Sequence, residues 1–172
     1  MPNSEFIPLS IAVLTVSDTR TLKDDRSGDL LVRKISEAGH NLVERAMCKD
    51  SIYSIRAIVS GWIDTAKLDV VLISGGTGVT GRDGTPEAVS VLFDKTLEGF
   101  GETFRALSYA DIKTSTMQSR AVAGVANRTY VFSLPGSTGA CKLAWESLIS
   151  FQLDSRTKPC NLVELMPRLL ER

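Results

Sequence analysis

Apolar residues fall along this chain in two rhythms, short unbroken runs and helically spaced stripes. Ile11-Ala12-Val13-Leu14-Thr15-Val16 is a short apolar run closed by Ser17-Asp18, the pattern of a strand buried on both faces of a parallel sheet. A charged loop from Thr19 to Arg26 leads into a helix whose apolar stripe is Leu31, Ile35 and Ala38, stopped by Gly39. Leu42 to Met47 predicts a second strand, and Glu44 and Arg45 within it argue for an edge position. Ile52, Ile55, Val59 and Trp62 recur at helical spacing after Lys49-Asp50-Ser51, where Asp50 or Ser51 is placed to cap the helix. Leu68 to Ile73 is the clearest strand, and it runs directly into Ser74-Gly75-Gly76-Thr77-Gly78.

Thr85-Pro86-Glu87 opens a further helix, with proline in the first turn where its missing N–H costs nothing. Gly99 to Val125 reads as helix in pieces, with Phe100, Phe104 and Leu107 as one stripe and a second piece beginning near Ser115. Thr129 to Leu134 is another strand, halted by Pro135-Gly136. A last helix carries Cys141, Ala144, Trp145 and Leu148 on one face, and prolines limit regular structure in the tail from Asp154. Strands alternating with helices at this spacing predict a single domain over residues 1–172, a three-layer α/β/α sandwich with a mostly parallel, mixed sheet. Ligands of such sheets bind beyond the C-terminal ends of the strands. The turns leaving three of the strands are Ser17-Asp18, Ser74 to Gly78, and Pro135-Gly136-Ser137-Thr138, all small, polar and suited to an anion.

Composition narrows the chemistry. The 172 residues carry 20 basic and 20 acidic side chains, and this balance argues against a general nucleic-acid binder. The single histidine, His40, removes Ser-His-Asp and Cys-His machinery unless it lies in the site itself, and makes a histidine-based zinc centre improbable. Cys48, Cys141 and Cys160 are odd in number and form no C-x-x-C pair, which fits reduced thiols in a cytoplasmic protein. No apolar run approaches the roughly 18 residues of a membrane span, and Met1 to Pro8 lacks the positive start of a signal peptide.

Gly76 to Gly81, G-T-G-V-T-G, formally matches the dinucleotide fingerprint. The fingerprint should open straight into a helix, but here the helix signal waits until Thr85, and the first strand lacks it. No Gly-Lys-Ser/Thr makes it a P-loop. Two readings stay open: a tight turn that needs glycine for positive φ, or a nest of backbone N–H groups around a phosphate, with the hydroxyls of Ser74 and Thr77 as added donors. Arg82 is either a phosphate partner or a solvated surface charge. Asp83 either caps the following helix or holds a cation such as Mg²⁺ against a phosphate, since a bare carboxylate there would repel the anion. Asp50 carries the same ambiguity.

Ser74-Gly75-Gly76-Thr77-Gly78 followed by Arg82-Asp83-Gly84-Thr85-Pro86-Glu87-Ala88 resembles the signature of the MoaB/MogA family of molybdenum cofactor biosynthesis proteins. Gly99-Phe100-Gly101-Glu102, Ser119-Arg120 and Leu134-Pro135-Gly136-Ser137 extend the resemblance in order and spacing from about Ile11 to Leu153, with details closer to the MoaB branch. The resemblance implies a molybdopterin-binding fold and a homo-oligomer, trimer or hexamer. It also implies adenylyl transfer from Mg-ATP to the terminal phosphate of molybdopterin, or, as an alternative, a molybdopterin carrier or scaffold with little turnover. On this reading Asp83 and Asp50 are catalytic and hold the metal. Ser17, Ser74, Gly75, Gly76, Thr77, Gly78, Pro135, Gly136 and Ser137 take molybdopterin and its phosphate. The chain departs from the family where Thr138-Gly139 stand in place of an early lysine, the next being Lys142.

Overall fold

Strand β1 (Ser10–Val16) has no polar face, and all but its first residue are buried. Ile11 and Val13 pack with Leu31, Ile35 and Phe132, whereas Ala12, Leu14 and Val16 meet Ile55, Val59 and Ile73. That alternation is the two-residue period of a strand between two cores. In the computed structural model, which describes residues 5–171, β1 lies between β2 (Asn41–Cys48) and β3 (Val70–Ser74), and β6 (Thr129–Leu134) lies beside β3, all parallel. Residues 1–4 and 172, part of the expected domain and of the segment weighed as a leader, lie outside the described residues. β5 (Val122–Ala126) returns antiparallel to β6, and β4 (Lys95–Thr96) pairs with β5, giving the order β2-β1-β3-β6-β5-β4. Helices α1 (Arg26–Glu37), α4 (Glu98–Ile112) and α5 (Thr138–Ala144) cover one face, and α2 (Ile52–Asp64) and α3 (Thr85–Ser90) the other. The expected three-layer α/β/α fold with a mixed, mostly parallel sheet is therefore the observed one.

The segment read as helix up to Val125 is corrected. Helix α4 gives way to a 3₁₀ stretch, Lys113–Gln118, and residues 122–126 are strand β5. Valine, alanine and glycine in V-A-G-V-A present no helical stripe, and the close fit of Gly124 under Phe93, where a Cβ would lie 2.3 Å from the ring, belongs to a packed strand. Asn127 (φ 44°) and Arg128 (φ 65°) form the two-residue, positive-φ turn that joins β5 to β6. Leu107 is 37% exposed and does not share the buried stripe of Phe104. β2 is the sheet edge, as its charges suggested, with Leu42 and Val43 exposed. Helix α5 continues through a π-helical stretch, Trp145–Ile149, into α6 (Ser150–Gln152). The tail adds α7 (Leu162–Leu165), docked where the Tyr130 hydroxyl donates to the Leu162 carbonyl at 2.8 Å. Among the described residues no helix is long and apolar enough to cross a membrane.

One buried carboxylate ties three elements together. Asp25 caps α1 by accepting from the Gly28 amide at 2.9 Å, and also accepts from the Thr15 hydroxyl at 2.7 Å and the Arg45 guanidinium at 2.9 Å. Burial works to raise its pKa, but the Thr15 hydroxyl, Arg45 and the Gly28 amide together hold it below the ordinary carboxylate value. His40 lies at the opposite, N-terminal end of the strands, where its Nδ1 accepts from the Leu9 amide at 3.2 Å and burial lowers its pKa. The lone histidine is thus a structural acceptor, remote from the strand ends where ligands bind.

Asp25→Ala removes the α1 cap and the buried partner of Arg45, which keeps Asp29 at 2.8 Å, and should lower the unfolding free energy by about 1–3 kcal/mol in denaturant titrations. Because the native pKa of Asp25 is depressed, its stabilisation is complete above roughly pH 4 and is lost as pH falls through the native value. The variant's acid-unfolding curve should accordingly be flatter than that of the wild type.

Candidate anion-binding site

Adjacent strands β1, β3 and β6 deliver their outgoing turns to one place. Ser17, Gly75 to Gly78, and Pro135-Gly136 line a single cavity of about 370 Å³ beyond the C-terminal ends of those strands. Gly75 (φ 109°) makes the convergence possible, because a Cβ there would lie 2.1 Å from the Val16 carbonyl oxygen. Gly76 (φ 66°) continues the left-handed path, with no room for a Cβ beside the Thr85 hydroxyl and the Asp50 carboxylate. Thr85 fixes the turn from below: its hydroxyl donates to the Gly75 carbonyl at 2.8 Å and its amide to the Gly76 carbonyl at 3.0 Å.

The amides of this loop are not equivalent. Gly75 donates to the Leu134 carbonyl at 3.0 Å, and the Gly78 amide faces Asp83. Those of Gly76 and Thr77 donate to no backbone carbonyl among the described residues. These two, with the Thr77 side chain in the cavity wall, form the open part of the nest. Ser74 stands differently from Thr77. It is fully buried, its hydroxyl donating to Ser27 at 3.1 Å with the Cys141 thiol 3.5 Å away, and it supports the floor without lining the cavity. Ser137 caps α5 by accepting from the Ala140 amide at 3.2 Å and lines a neighbouring cavity.

Arg120, noted in the sequence only as part of the Ser119-Arg120 pair, clamps the loop that follows. Its guanidinium donates to the carbonyls of Gly78 at 2.6 Å and Asp83 at 2.7 Å and pairs with Glu87, while its amide donates to the Thr77 carbonyl at 3.0 Å. Asp83 does not cap α3, whose N-cap is Gly84 with no side-chain bond. Its carboxylate turns back to accept from the Thr80 hydroxyl at 2.6 Å and the Thr80 amide at 2.9 Å. The Thr80 hydroxyl, Thr80 and Gly78 amides and Arg120 lower its pKa against the opposing effect of burial. Asp50 is no cap either, for Ser51 caps α2. It accepts from the Gly84 amide at 3.2 Å, and burial, reinforced by repulsion from Asp83 and Asp18, raises its pKa.

These two carboxylates flank the glycine loop. Asp50 Oδ2 lies 2.8 Å from where a Cβ of Gly76 would be, and Asp83 Oδ2 lies 2.7 Å from that of Gly78. Such a donor set fits Mg²⁺, which takes one or two carboxylates and completes its octahedron with water and phosphate oxygens. The cation that faces the cavity is not Arg82. Arg82 forms a forked pair with Asp18, at 2.9 and 2.8 Å, linking the turns after β1 and β3. Arg20 lines the cavity instead, its backbone amide held by Ser17 Oγ at 3.1 Å and its guanidinium donating to the Gly136 carbonyl at 3.1 Å. Its signal in the sequence was only its place in the turn after β1, three residues beyond Ser17. Ser119 also lines the cavity, and its hydroxyl is buried without a hydrogen-bond partner among the described residues. Burial pushes the Cys48 and Cys141 thiols up to about 11, so neither is a ready nucleophile.

An α/β sheet whose parallel strand ends carry a glycine nest, one cation and two flanking carboxylates has the donor set that suits a phosphorylated ligand. Residues 12–155 match the family model described as "Probable molybdopterin binding domain". The chain is 57% identical over 159 residues to molybdenum cofactor biosynthesis protein B of Escherichia coli K12, covering 92% of this chain and 94% of that one. The protein of the same name from Bacillus subtilis 168 is 49% identical over 139 residues, covering 80% and 81%. A crystal structure of a molybdenum cofactor biosynthesis protein B superposes with TM-score 0.82 at 46% identity, covering 86% of this chain and 92% of that one. The tungsten cofactor synthesizing protein MoaB of Pyrococcus furiosus superposes with TM-score 0.74 at 36% identity, covering 83% and 91%. The chain belongs to the MoaB/MogA family of molybdenum cofactor biosynthesis proteins.

Calorimetric titration with inorganic pyrophosphate tests the nest. Arg20→Ala should weaken binding about tenfold, the value of one charge-assisted hydrogen bond. Gly76→Ala, crowded by Thr85 and Asp50 at a positive φ, should abolish binding and lower stability, so Arg20→Ala is the variant that decides: unchanged affinity there would show the anion held elsewhere.

Proposed function

We propose that this protein binds molybdopterin and adenylylates it with Mg-ATP. The observation that carries the reading is the meeting, in one cavity, of the free Gly76 and Thr77 amides and Arg20, with Asp83 and Asp50 at its glycine-loop side. In the reaction an oxygen of the terminal phosphate of molybdopterin forms a bond to the α-phosphorus of ATP. The bond from that phosphorus to the bridging α–β oxygen breaks, and pyrophosphate leaves. Both reactants are polyanions, so the protein's work is to position them and offset their charge.

The amides of Gly76 and Thr77 hold a phosphate without competing side chains, and Arg20 offsets its charge. Arg120 keeps the Gly78–Asp83 segment in place through its carbonyls, so the nest is set before ligand arrives. Asp83 and Asp50 would hold Mg²⁺, which, when bound, neutralises charge on the ATP phosphates. No side chain has to act as a nucleophile, in keeping with the protonated thiols of half-buried Cys48 and buried Cys141 and a remote histidine. The reading places the protein in the cytoplasm as a trimer or hexamer, which light scattering of the purified protein would measure.

Incubation of the purified protein with molybdopterin and Mg-ATP should yield adenylylated molybdopterin and pyrophosphate. Asp83→Asn keeps an acceptor for the Thr80 amide, and should lower turnover about 100-fold while molybdopterin affinity stays near the wild-type value. Wild-type protein that binds molybdopterin and forms no product would replace this reading with that of a carrier.

A further inference from the structure

The two carboxylates at the glycine loop come from different turns, Asp50 from the one after β2 and Asp83 from the one after β3. Mg²⁺ demands near-ideal octahedral geometry at about 2.0–2.1 Å, so ligands from separate turns serve it only when the distance between the turns is held. One direct bond spans them, from the Gly84 amide to the Asp50 carboxylate at 3.2 Å. That bond uses an oxygen of the very carboxylate on which a cation would draw. The span therefore calls for a second tie that involves neither Asp50 Oδ nor Asp83 Oδ.

Asp18, just beyond the end of β1, supplies it. Its Oδ1 accepts from the Asp50 amide at 3.1 Å and from Arg82 Nη2 at 2.8 Å, and its Oδ2 accepts from Arg82 Nε at 2.9 Å. The Lys49 ammonium donates to the Asp18 carbonyl, and the Ser17 amide donates to the Cys48 carbonyl at 3.0 Å, so the turns after β1 and β2 are joined behind this contact. One carboxylate thus grips the main chain of Asp50 and the side chain of the residue next to Asp83. A forked guanidinium–carboxylate pair fixes direction as well as distance. Neither Asp18 nor Arg82 lines the cavity. Their side chains are 36% and 66% exposed, and ion pairs so exposed add little to folding stability. What the fork does is align the two turns it joins.

We propose that Asp18 and Arg82 are positioning residues for the cation, their ion pair holding the Asp50 and Asp83 turns at the separation that Mg²⁺ requires. The inference rests on the function proposed above, and adds which residues outside the cavity set the affinity for the metal. Positioning and simple charge differ in sign for one variant. Arg82 is a positive group beside the candidate metal ligands, so by Coulomb's law alone its loss should tighten a cation. If the fork sets the spacing of the carboxylates, its loss weakens the cation instead.

Mn²⁺ is the probe, because it takes the oxygen ligands that suit Mg²⁺ and the electron paramagnetic resonance of the free ion reports how much is bound. Arg82→Gln should weaken Mn²⁺ about tenfold, and Asp18→Asn, which keeps an acceptor for the Asp50 amide, should do the same. The double variant should bind no worse than either single one, since the two residues act as a unit. Melting temperatures should stay within about 3 °C of the wild type. In the adenylylation assay the variants should need about tenfold more Mg²⁺ for half-maximal turnover, with the KM for molybdopterin unchanged. Arg82→Gln binding Mn²⁺ as tightly as the wild type, or more tightly, would overturn the inference and leave the proposed function standing. A weaker Mn²⁺ site together with a large fall in melting temperature would overturn it in favour of a structural role. Wild-type protein that binds no Mn²⁺ overturns it as well, and whether that protein still forms adenylylated molybdopterin decides if the function proposed above falls with it.

Discussion

The approach of the Gly75 backbone to the Val16 carbonyl sets the whole site. Two buried parallel strands end side by side, and their turns can meet only where one of them carries no side chain. A Cβ placed at position 75 would overlap the neighbouring main chain, and nothing there can rotate away. From this contact follow the left-handed path through Gly76, the freeing of the Gly76 and Thr77 amides, and the packing of Gly136 against Gly75 from the third strand. The cavity is therefore a product of sheet topology: β1, β3 and β6 are neighbours, so their turns are neighbours.

Charge is sorted around that contact. Arg82 is spent on Asp18, and Arg120 on carbonyls and Glu87, which leaves Arg20 as the cation that lines the cavity. Asp83 lines the cavity and Asp50 lies against Gly76 of the same loop, and their pKa shifts are opposite, because Asp50 is desolvated and Asp83 is well supplied with donors. On the proposed function, a neutral chain handles anions by local arrangement of amides and one guanidinium. The long-range attraction of a basic surface is not required.

Sequence patterning showed much of this and missed specific parts for physical reasons. The buried strands were legible because an unbroken apolar run has few other uses, and the three polar turns could be grouped because parallel strands end on one side. β5 was not legible, since V-A-G-V-A carries neither bulk nor alternation and takes its identity from Phe93 packed on Gly124 and from the turn at Asn127-Arg128. The different situations of Ser74 and Thr77, three residues apart, depend on where the strand ends and the turn begins. Arg20 and Arg120 were invisible as functional groups because their roles come from partners far away in the chain, Gly136 for one and Gly78 and Asp83 for the other. Asp50 and Asp83 each sat where a helix cap is expected, and only the bonds made by Ser51 and left unmade at Gly84 separate the two possibilities.

The grip of Arg120 has one more consequence. It holds the loop by main-chain oxygens at Gly78 and Asp83, the two ends of the segment that contains Val79, Thr80, Gly81 and Arg82. A hold on carbonyls is indifferent to the side chains between them. The loop's outline is therefore independent of the side chains at Val79 and Gly81, which can differ from one protein to another, whereas Thr80 and Arg82 add side-chain holds of their own on Asp83 and Asp18.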